Sequence, residues 1–225
     1  MRSLPMNRET RINNRLPLAR EGFPFIGIGI GLILLFACFG WTTLTIIVGL
    51  VTLFVIYFFR DPERHHSAQE NAVLTPADGR ILEVRKVDGK DNPLDRSSIK
   101  VSIFMNVFNV HVNRIPIQGT IKKISYHPGK FLSADLDKAS EQNENNRVIL
   151  ETADSKEILI IQIAGLVARR IACWIEQGDR VETGQRFGLI RFGSRLEVFL
   201  PPDSKIVVRV GQKVKAGETV IGYLA

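Results

Sequence analysis

FPFIGIGIGLILLFACFGWTTLTIIVGLVTLFVIYFF, running from Phe23 to Phe59, contains no Asp, Glu, Lys, Arg or His. A single helix of this length would be about 55 Å long, against a hydrocarbon core of about 30 Å, so one straight span overshoots. Two spans fit. "FGWTT" at Phe39 to Thr43 supplies a glycine, an interfacial tryptophan and two hydroxyls where such spans would turn. Arg8, Arg11, Arg15 and Arg20 precede the run and Arg60 and Arg64 follow it, which puts both ends on the cytoplasmic side under the positive-inside rule. A cleaved signal peptide would have a shorter apolar core followed by a small-residue cleavage site. The reading is a transmembrane helical hairpin within residues 1–60, at the cell membrane, with the rest of the chain in the cytoplasm.

What remains, residues 61–225, is long enough for one folded domain. The whole chain has 225 residues and a net charge of +7, a balance that suits anionic surfaces. Much of that charge flanks the apolar run and no nucleic-acid-binding motif accompanies it, so the partner is an anionic membrane and not nucleic acid. Cys38 and Cys173 are the only cysteines, which excludes a disulfide framework, and no cluster has metal-ligand spacing. After a polar linker, short apolar runs such as "KVSIFM" and "EILIIQIAG" alternate with Gly, Pro and Asp. The expected fold class is therefore mostly β (α+β), a barrel-like or sandwich-like domain, with Ser133 to Asn146 a short helix or a surface loop. "GDRVETGQRFG" (Gly178 to Gly188) repeats as "GQKVKAGETVIG" (Gly211 to Gly222), with a one-residue slip. The pair predicts two similar hairpins like those of lipoyl and biotinyl carriers, but without the acceptor lysine at the tip.

Between the two repeats lies "IRFGSRLEVF", Ile190 to Phe199, where Gly193 and Ser194 interrupt a strand-forming run. The plain reading is a glycine bulge on a sheet edge. Two other stretches place reactive groups beside turns: "TPADGRI" carries Asp78 and "NVFNVHVNRIPIQG" carries His111. Taken singly, Asp before Gly is a turn former, and a histidine in an apolar run is a core residue.

The segments around these residues change their weight. "EGFPF" (Glu21 to Phe25), "FFRDPER" (Phe58 to Arg64), "PADG" (Pro76 to Gly79), "FNVHVNRIP" (Phe108 to Pro116), "GKFLSADLDKASEQNENN" (Gly129 to Asn146) and "RFGSR" (Arg191 to Arg195) together cover nearly the whole chain. In this order they resemble the phosphatidylserine decarboxylases, pyruvoyl enzymes of phospholipid synthesis, in their short bacterial and archaeal form. The resemblance implies a self-processing triad of Asp78, His111 and Ser194. His111, oriented by Asp78, is the base; Ser194 attacks the Gly193 carbonyl, and the resulting ester is eliminated. Loss of ammonia then leaves a covalent pyruvoyl group at Ser194, the only cofactor. A β chain of residues 1–193 and an α chain of residues 194–225 would result. The ketone forms a Schiff base with the serine amine of the lipid and acts as an electron sink while CO2 leaves. His111 would also protonate the product carbanion.

Two departures from the family pattern are visible. Phe192 and Arg195 flank the Gly-Ser pair where the best-known form has Leu and Thr, and Asn145 stands where arginine is usual. Arg195 is either a solvated strand residue or a partner for the substrate phosphate or carboxylate. Glu144 is given no catalytic role, and Phe131 and Leu132 belong either to a lid that meets lipid or to the core. The family reading implies phosphatidylserine in an anionic membrane as substrate and a homodimer as the assembly. Its rivals are the same chemistry on another serine lipid such as archaetidylserine, and a non-enzymatic membrane adaptor built on lipoyl-like hairpins.

Overall fold

The computed structural model describes residues 12–14, 16–66, 69, 71–89, 92–132, 142–165, 170–191 and 193–225. It contains two compact units, Asn13–Glu63 and one built on Arg64–Ala225.

The first unit is a helical hairpin. A 3-10 turn at Arg20–Gly22 leads into α1 (Phe23–Cys38), which carries a proline in its first turn where no intrahelical donor is needed. α2 (Thr42–Phe58) returns after a turn at Gly40. The continuous helical stretch Arg20–Cys38 has 19 residues and a mean hydropathy of 2.0, enough to cross a membrane, while α2 is an apolar helix of 17 residues. The helices touch at Gly29, where any Cβ would collide with the Thr52 side chain, and the Thr52 hydroxyl turns inward to donate to Val48 O at 2.8 Å. Small residues at such crossings let apolar helices approach closely. At the other end Ala19 N donates to Phe59 O, Asp61 N donates to Pro17 O, and the Asn14 side chain ties Leu18 O to the Asp61 carboxylate.

The second unit is mostly β, as its short punctuated apolar runs require. Its strands are β1 (Ala72–Leu74), β2 (Gly79–Val87), β3 (Ser98–Met105), β4 (Val112–Arg114), β5 (Gly119–His127), β6 (Asn145–Glu151) and β7 (Glu157–Ala164). β8 (Ile171–Cys173), β9 (Arg180–Val181), β10 (Arg186–Ile190), β11 (Ser194–Leu200), β12 (Lys205–Ile206), β13 (Lys213–Val214) and β14 (Val220–Tyr223) follow. An eight-stranded antiparallel sheet has the order β13-β2-β3-β11-β7-β6-β5-β9, and two three-stranded sheets have the orders β1-β14-β12 and β4-β10-β8. The core lies on one face of the large sheet, with Ile81, Val101, Ile103, Leu150, Ile160, Leu196 and Val198 fully buried in it. The tail of the Ser133 to Asn146 stretch enters β6; residues 133–141 lie outside the described residues.

The sequence repeat turns out to be half of a larger pseudo-twofold. Leu74 N donates to Pro116 O at 2.8 Å while Arg114 N donates to Pro76 O at 2.9 Å. Ile81 bonds Gln212 O and Gly211 N, and Ile121 bonds Asp179 O and Gly178 N in the same way. Each copy of the repeat thus supplies an edge strand, β13 at one end of the large sheet and β9 at the other. The expected hairpins do not form: β9 pairs with β5, whereas β10 pairs with β4 and β8; β13 pairs with β2, whereas β14 pairs with β1 and β12. Each glycine-bounded turn passes the chain from one sheet to another, so the comparison with carrier hairpins carries no functional weight.

β11 is a central strand, flanked by β3 and β7, which removes the edge-bulge reading of Gly193-Ser194. Its side chains alternate: Leu196, Val198 and Leu200 join the main core, while Phe199 packs with Leu159, Ile161 and Ile163 on the opposite face. On that opposite face Arg195 meets Glu197 at 2.9 Å and Ser102 Oγ at 3.1 Å, and Lys100 meets Glu83 at 2.7 Å and Glu197 at 3.6 Å. Burial alone would push the Glu83 carboxyl up, but the Lys100 hydrogen bond and the charges of Lys100, Arg85 and Arg195 bring it below its ordinary value. Removing the Glu197 charge leaves buried Arg195 under-compensated. Glu197→Gln is expected to cost about 3–5 kcal/mol in denaturant unfolding of the uncleaved Ser194→Ala protein.

Candidate active site

Ser194 opens β11, opposite Met105 of β3 and Ala164 of β7. It is fully buried, and its Oγ has no hydrogen-bond partner among the described residues. A buried hydroxyl in that state costs about 1–3 kcal/mol, so its retention calls for a chemical reason. Gly193 before it has φ +63°, and a Cβ there would meet nothing within 4 Å. Glycine is demanded by the left-handed backbone and not by crowding. Alanine fits the space but strains that conformation by about 1–2 kcal/mol. Gly193→Ala is therefore expected to fold and to cleave about tenfold more slowly, read as the half-time of precursor loss on gels. Phe192 lies outside the described residues.

The segment that carries His111 is anchored close to this link at both of its ends. The chain leaves β3 at Met105, the partner of Ser194, and passes through a turn in which Asn109 N donates to Asn106 O and the Asn109 side chain accepts from Asn106 N. It then reaches His111, whose carbonyl accepts from Ile190 N at the end of β10. The segments on either side of Gly193 are thus the two anchors of the histidine turn. His111 is fully buried, and its Nδ1 lies 3.0 Å from Asn109 O. A carbonyl only accepts, so Nδ1 carries the proton and Nε2 is the basic nitrogen of the neutral ring.

Asp78 sits immediately before β2 and is buried, but its hydrogen bonds come from elsewhere. Ala216 N donates to its Oδ1 at 2.7 Å and Arg64 donates to both oxygens at 3.1 and 3.3 Å. Arg64 also donates to Glu218 at 2.9 Å, and that hydrogen bond holds the Glu218 carboxyl below its ordinary value. His111 Nδ1 has the Asn109 carbonyl as a hydrogen-bond partner, while Asp78 is held by Ala216 N and Arg64. Asp78 is also where the pseudo-twofold breaks: the equivalent position holds Gln118, whose backbone amide donates to Thr183 Oγ1. Asp78 and Asn109 line one concavity of about 760 Å³, together with Arg80, Phe104, Phe108 and Lys213.

Arg195 corrects both sequence readings. It is 2% exposed, so it is not solvated, and strand alternation points it to the opposite face from Ser194, where Glu197 and Ser102 hold its guanidinium. Glu144 accepts a hydrogen bond from Tyr126, whose hydroxyl is pushed up to about 12 by desolvation and by this contact. Phe131 packs on the core, and Leu132 is clamped by both polar atoms of the Asn143 side chain.

Sequence reasoning missed a buried amide chain. Asn146 donates to Gln162, Gln162 donates to Asn113, and Asn113 reaches the Met105 sulfur at 3.7 Å. The visible signal was Gln162 alone in the apolar run "EILIIQIAG", a polar group that a core accepts only with partners.

Comparison with known proteins identifies the family. A profile of the phosphatidylserine decarboxylase family matches residues 51–222. A phosphatidylserine decarboxylase proenzyme of Syntrophus aciditrophicus is 54% identical over 209 residues, covering 91% of this chain and 96% of the relative. Proteins of the same name are 50% identical over 210 residues in Desulfotalea psychrophila, at 93% and 98% coverage, and 48% identical over 220 residues in Ralstonia pickettii, at 95% and 100% coverage. With its buried Ser194 behind a left-handed glycine, and with matches that span most of its length, the chain belongs to the phosphatidylserine decarboxylase family.

Proposed function

We propose that this protein is a self-processing decarboxylase that converts phosphatidylserine to phosphatidylethanolamine and CO2, using a pyruvoyl group made from Ser194. The observation that carries the reading is the buried Ser194 hydroxyl without a hydrogen-bond partner among the described residues, next to a peptide link whose glycine is held at φ +63°. An orphaned nucleophile beside an open, non-extended carbonyl fits a residue that is consumed in making the group.

His111 Nε2 takes the Ser194 hydroxyl proton as Oγ bonds to the Gly193 carbonyl carbon. The Gly193–Ser194 C–N bond breaks, the proton passes to the leaving nitrogen, and the amide has become an ester. Loss of the Ser194 α-proton expels the Gly193 carboxylate, and water replaces the nitrogen, releasing ammonia. Residues 1–193 and 194–225 then form separate chains, the second beginning with a ketone. When present, a pyruvoyl group supplies a carbonyl that accepts the electron pair freed as CO2 departs. Arg64 and Asp78 brace the Ala216 turn beside β2, and the Asn109 carbonyl keeps His111 in the tautomer that accepts and later returns a proton. The apolar hairpin anchors the enzyme in the bilayer with its catalytic unit on the cytoplasmic side, as a homodimer of processed protomers.

Intact-mass measurement and lipid assay test this together. Wild type purified in mild detergent should give two chains meeting at Gly193 and Ser194, the smaller lighter by one ammonia than simple hydrolysis predicts. It should also form phosphatidylethanolamine from phosphatidylserine. A folded wild-type protein that stays at full length sinks the proposal.

A further inference from the structure

Asn113 is fully buried in β4, two residues beyond His111. β4 belongs to a three-stranded sheet, whereas β3 and β7, the strands on either side of Ser194, belong to the eight-stranded one. Among the described residues, therefore, no backbone ladder holds the histidine segment against the strands that flank the serine. The Asn113 side chain crosses that gap. Its Oδ1 accepts from Gln162 Nε2 of β7 at 2.8 Å, and its Nδ2 faces Met105 Sδ of β3 at 3.7 Å. Met105 is the register partner of Ser194 and Gln162 that of Leu196, and residues directly opposite on neighbouring antiparallel strands share a face. One amide thus reaches both neighbours of β11, on the face to which Ser194 itself points.

Gln162 is fixed in its turn. Asn146 Nδ2 of β6 donates to its Oε1 at 2.9 Å, which leaves Nε2 to donate onward and sets the sense of the whole chain. The layers close tightly around it: a Cβ on Gly188 of β10, the register partner of Asn113, would come within 2.9 Å of Gln162 Nε2. Stability alone does not require these amides, because apolar side chains of the same shape in their place would be nearly neutral. Apolar burial is non-directional and lets one layer slide along the other, whereas a hydrogen bond fixes the offset. We infer that Asn113 is a positioning residue for self-cleavage, which through Gln162 and Met105 sets the segment carrying His111 in place relative to Ser194. This role rests on the proposed self-processing at Gly193 and Ser194.

The test uses full-length chains made by cell-free synthesis in mild detergent, with the half-time of precursor loss read on gels. Asn113→Leu and Gln162→Leu are each expected to slow cleavage about 10²-fold, the cost of a misplacement on the order of 1 Å. The double variant should be no more than about threefold slower than either, because the two side chains make one tie. Asn92→Leu removes another buried amide of the same unit, bonded to Ser98 Oγ, and should cleave at the parent rate. Each rate is taken below the unfolding transition of the variant's Ser194→Ala counterpart, so that loss of fold is not read as loss of rate. Hydroxylamine identifies the step, since it opens an ester at Gly193 and leaves a peptide bond intact. With the attack itself slowed, the variants hold no ester and hydroxylamine leaves their half-times unchanged. Cleavage of folded Asn113→Leu within about threefold of the parent overturns the role, as does a double variant slowed by the product of the single effects, or accumulated ester that hydroxylamine releases. Should Asn113→Leu fail to fold, Gln162→Leu decides by the same thresholds. A parent chain that stays whole strikes self-processing itself, whereas slow variants of a cleaving parent bear on Asn113 alone.

Discussion

Ser194→Ala is expected to leave the chain whole at 225 residues, with no phosphatidylethanolamine formed. The register partners of Ser194 on the neighbouring strands, Met105 and Ala164, have no side-chain oxygen to replace the one lost. The substitution should also stabilise the precursor. In a His111→Gln background, which keeps residue 194 uncleaved, adding Ser194→Ala removes a buried hydroxyl that has no partner among the described residues. An increase of about 1 kcal/mol in denaturant unfolding is expected. A residue whose loss abolishes function and raises stability is one kept for chemistry. A structural serine would behave in the opposite way, with stability falling as its hydrogen bonds are lost, and that result would remove the orphaned-nucleophile argument.

The two apolar helices and the β-rich remainder were legible because both depend on local pattern. An uncharged run of the length of Phe23–Phe59 has few folded alternatives, and the punctuated runs from Ala72 onward have the period and turn chemistry of strands. The hairpins expected from Gly178–Gly188 and Gly211–Gly222 failed for a non-local reason. A glycine turn states that the chain bends and not which strand receives it, and here the neighbours are supplied by residues about 60 to 140 positions earlier. The other half of the pseudo-twofold, "TPADGRI" against "RIPIQGTI", shares only Pro, Gly and Ile, too little to read without the reciprocal bonds of Pro76 and Pro116.

The site was legible as residue types and not as contacts. Ser194, Gly193 and His111 were singled out through the motifs that surround them, and the topology brings their segments to one region: Met105 pairs with Ser194, and Ile190 N donates to the His111 carbonyl. Arg195 was misread because burial is invisible in a decapeptide. A strand arginine beside a reactive serine suggests a ligand contact, but alternation sends it to the other face and Glu197 two residues on receives it. Asp78 was expected to orient His111 because the family resemblance implied it, and here its carboxylate is held by Ala216 N and Arg64. A backbone carbonyl performs the same task at no cost in sequence signal, and so leaves no trace to read.

That difference yields the second large effect. On the proposed mechanism His111→Gln removes the base for Ser194, and it is expected to slow cleavage by about 10²–10⁴-fold, leaving intact precursor over hours in a gel time course. On the same mechanism the ring must accept the Ser194 proton, so wild-type cleavage should fall as pH is lowered and should level off at higher pH. Asp78→Asn bears on a different contact. The amide keeps one oxygen for Ala216 N but loses the charge paired with Arg64, so the β2 turn loosens while the Nδ1 bond to Asn109 stays. Its expected cost is about tenfold or less in cleavage rate, with the midpoint of the pH profile unmoved. If Asp78→Asn matches His111→Gln in severity and shifts that midpoint, the carboxylate acts on the imidazole directly and the Asn109 carbonyl is not what sets the tautomer. A small loss with an unmoved midpoint assigns Asp78 to bracing the turn, and leaves the basicity of His111 to the backbone of its own loop.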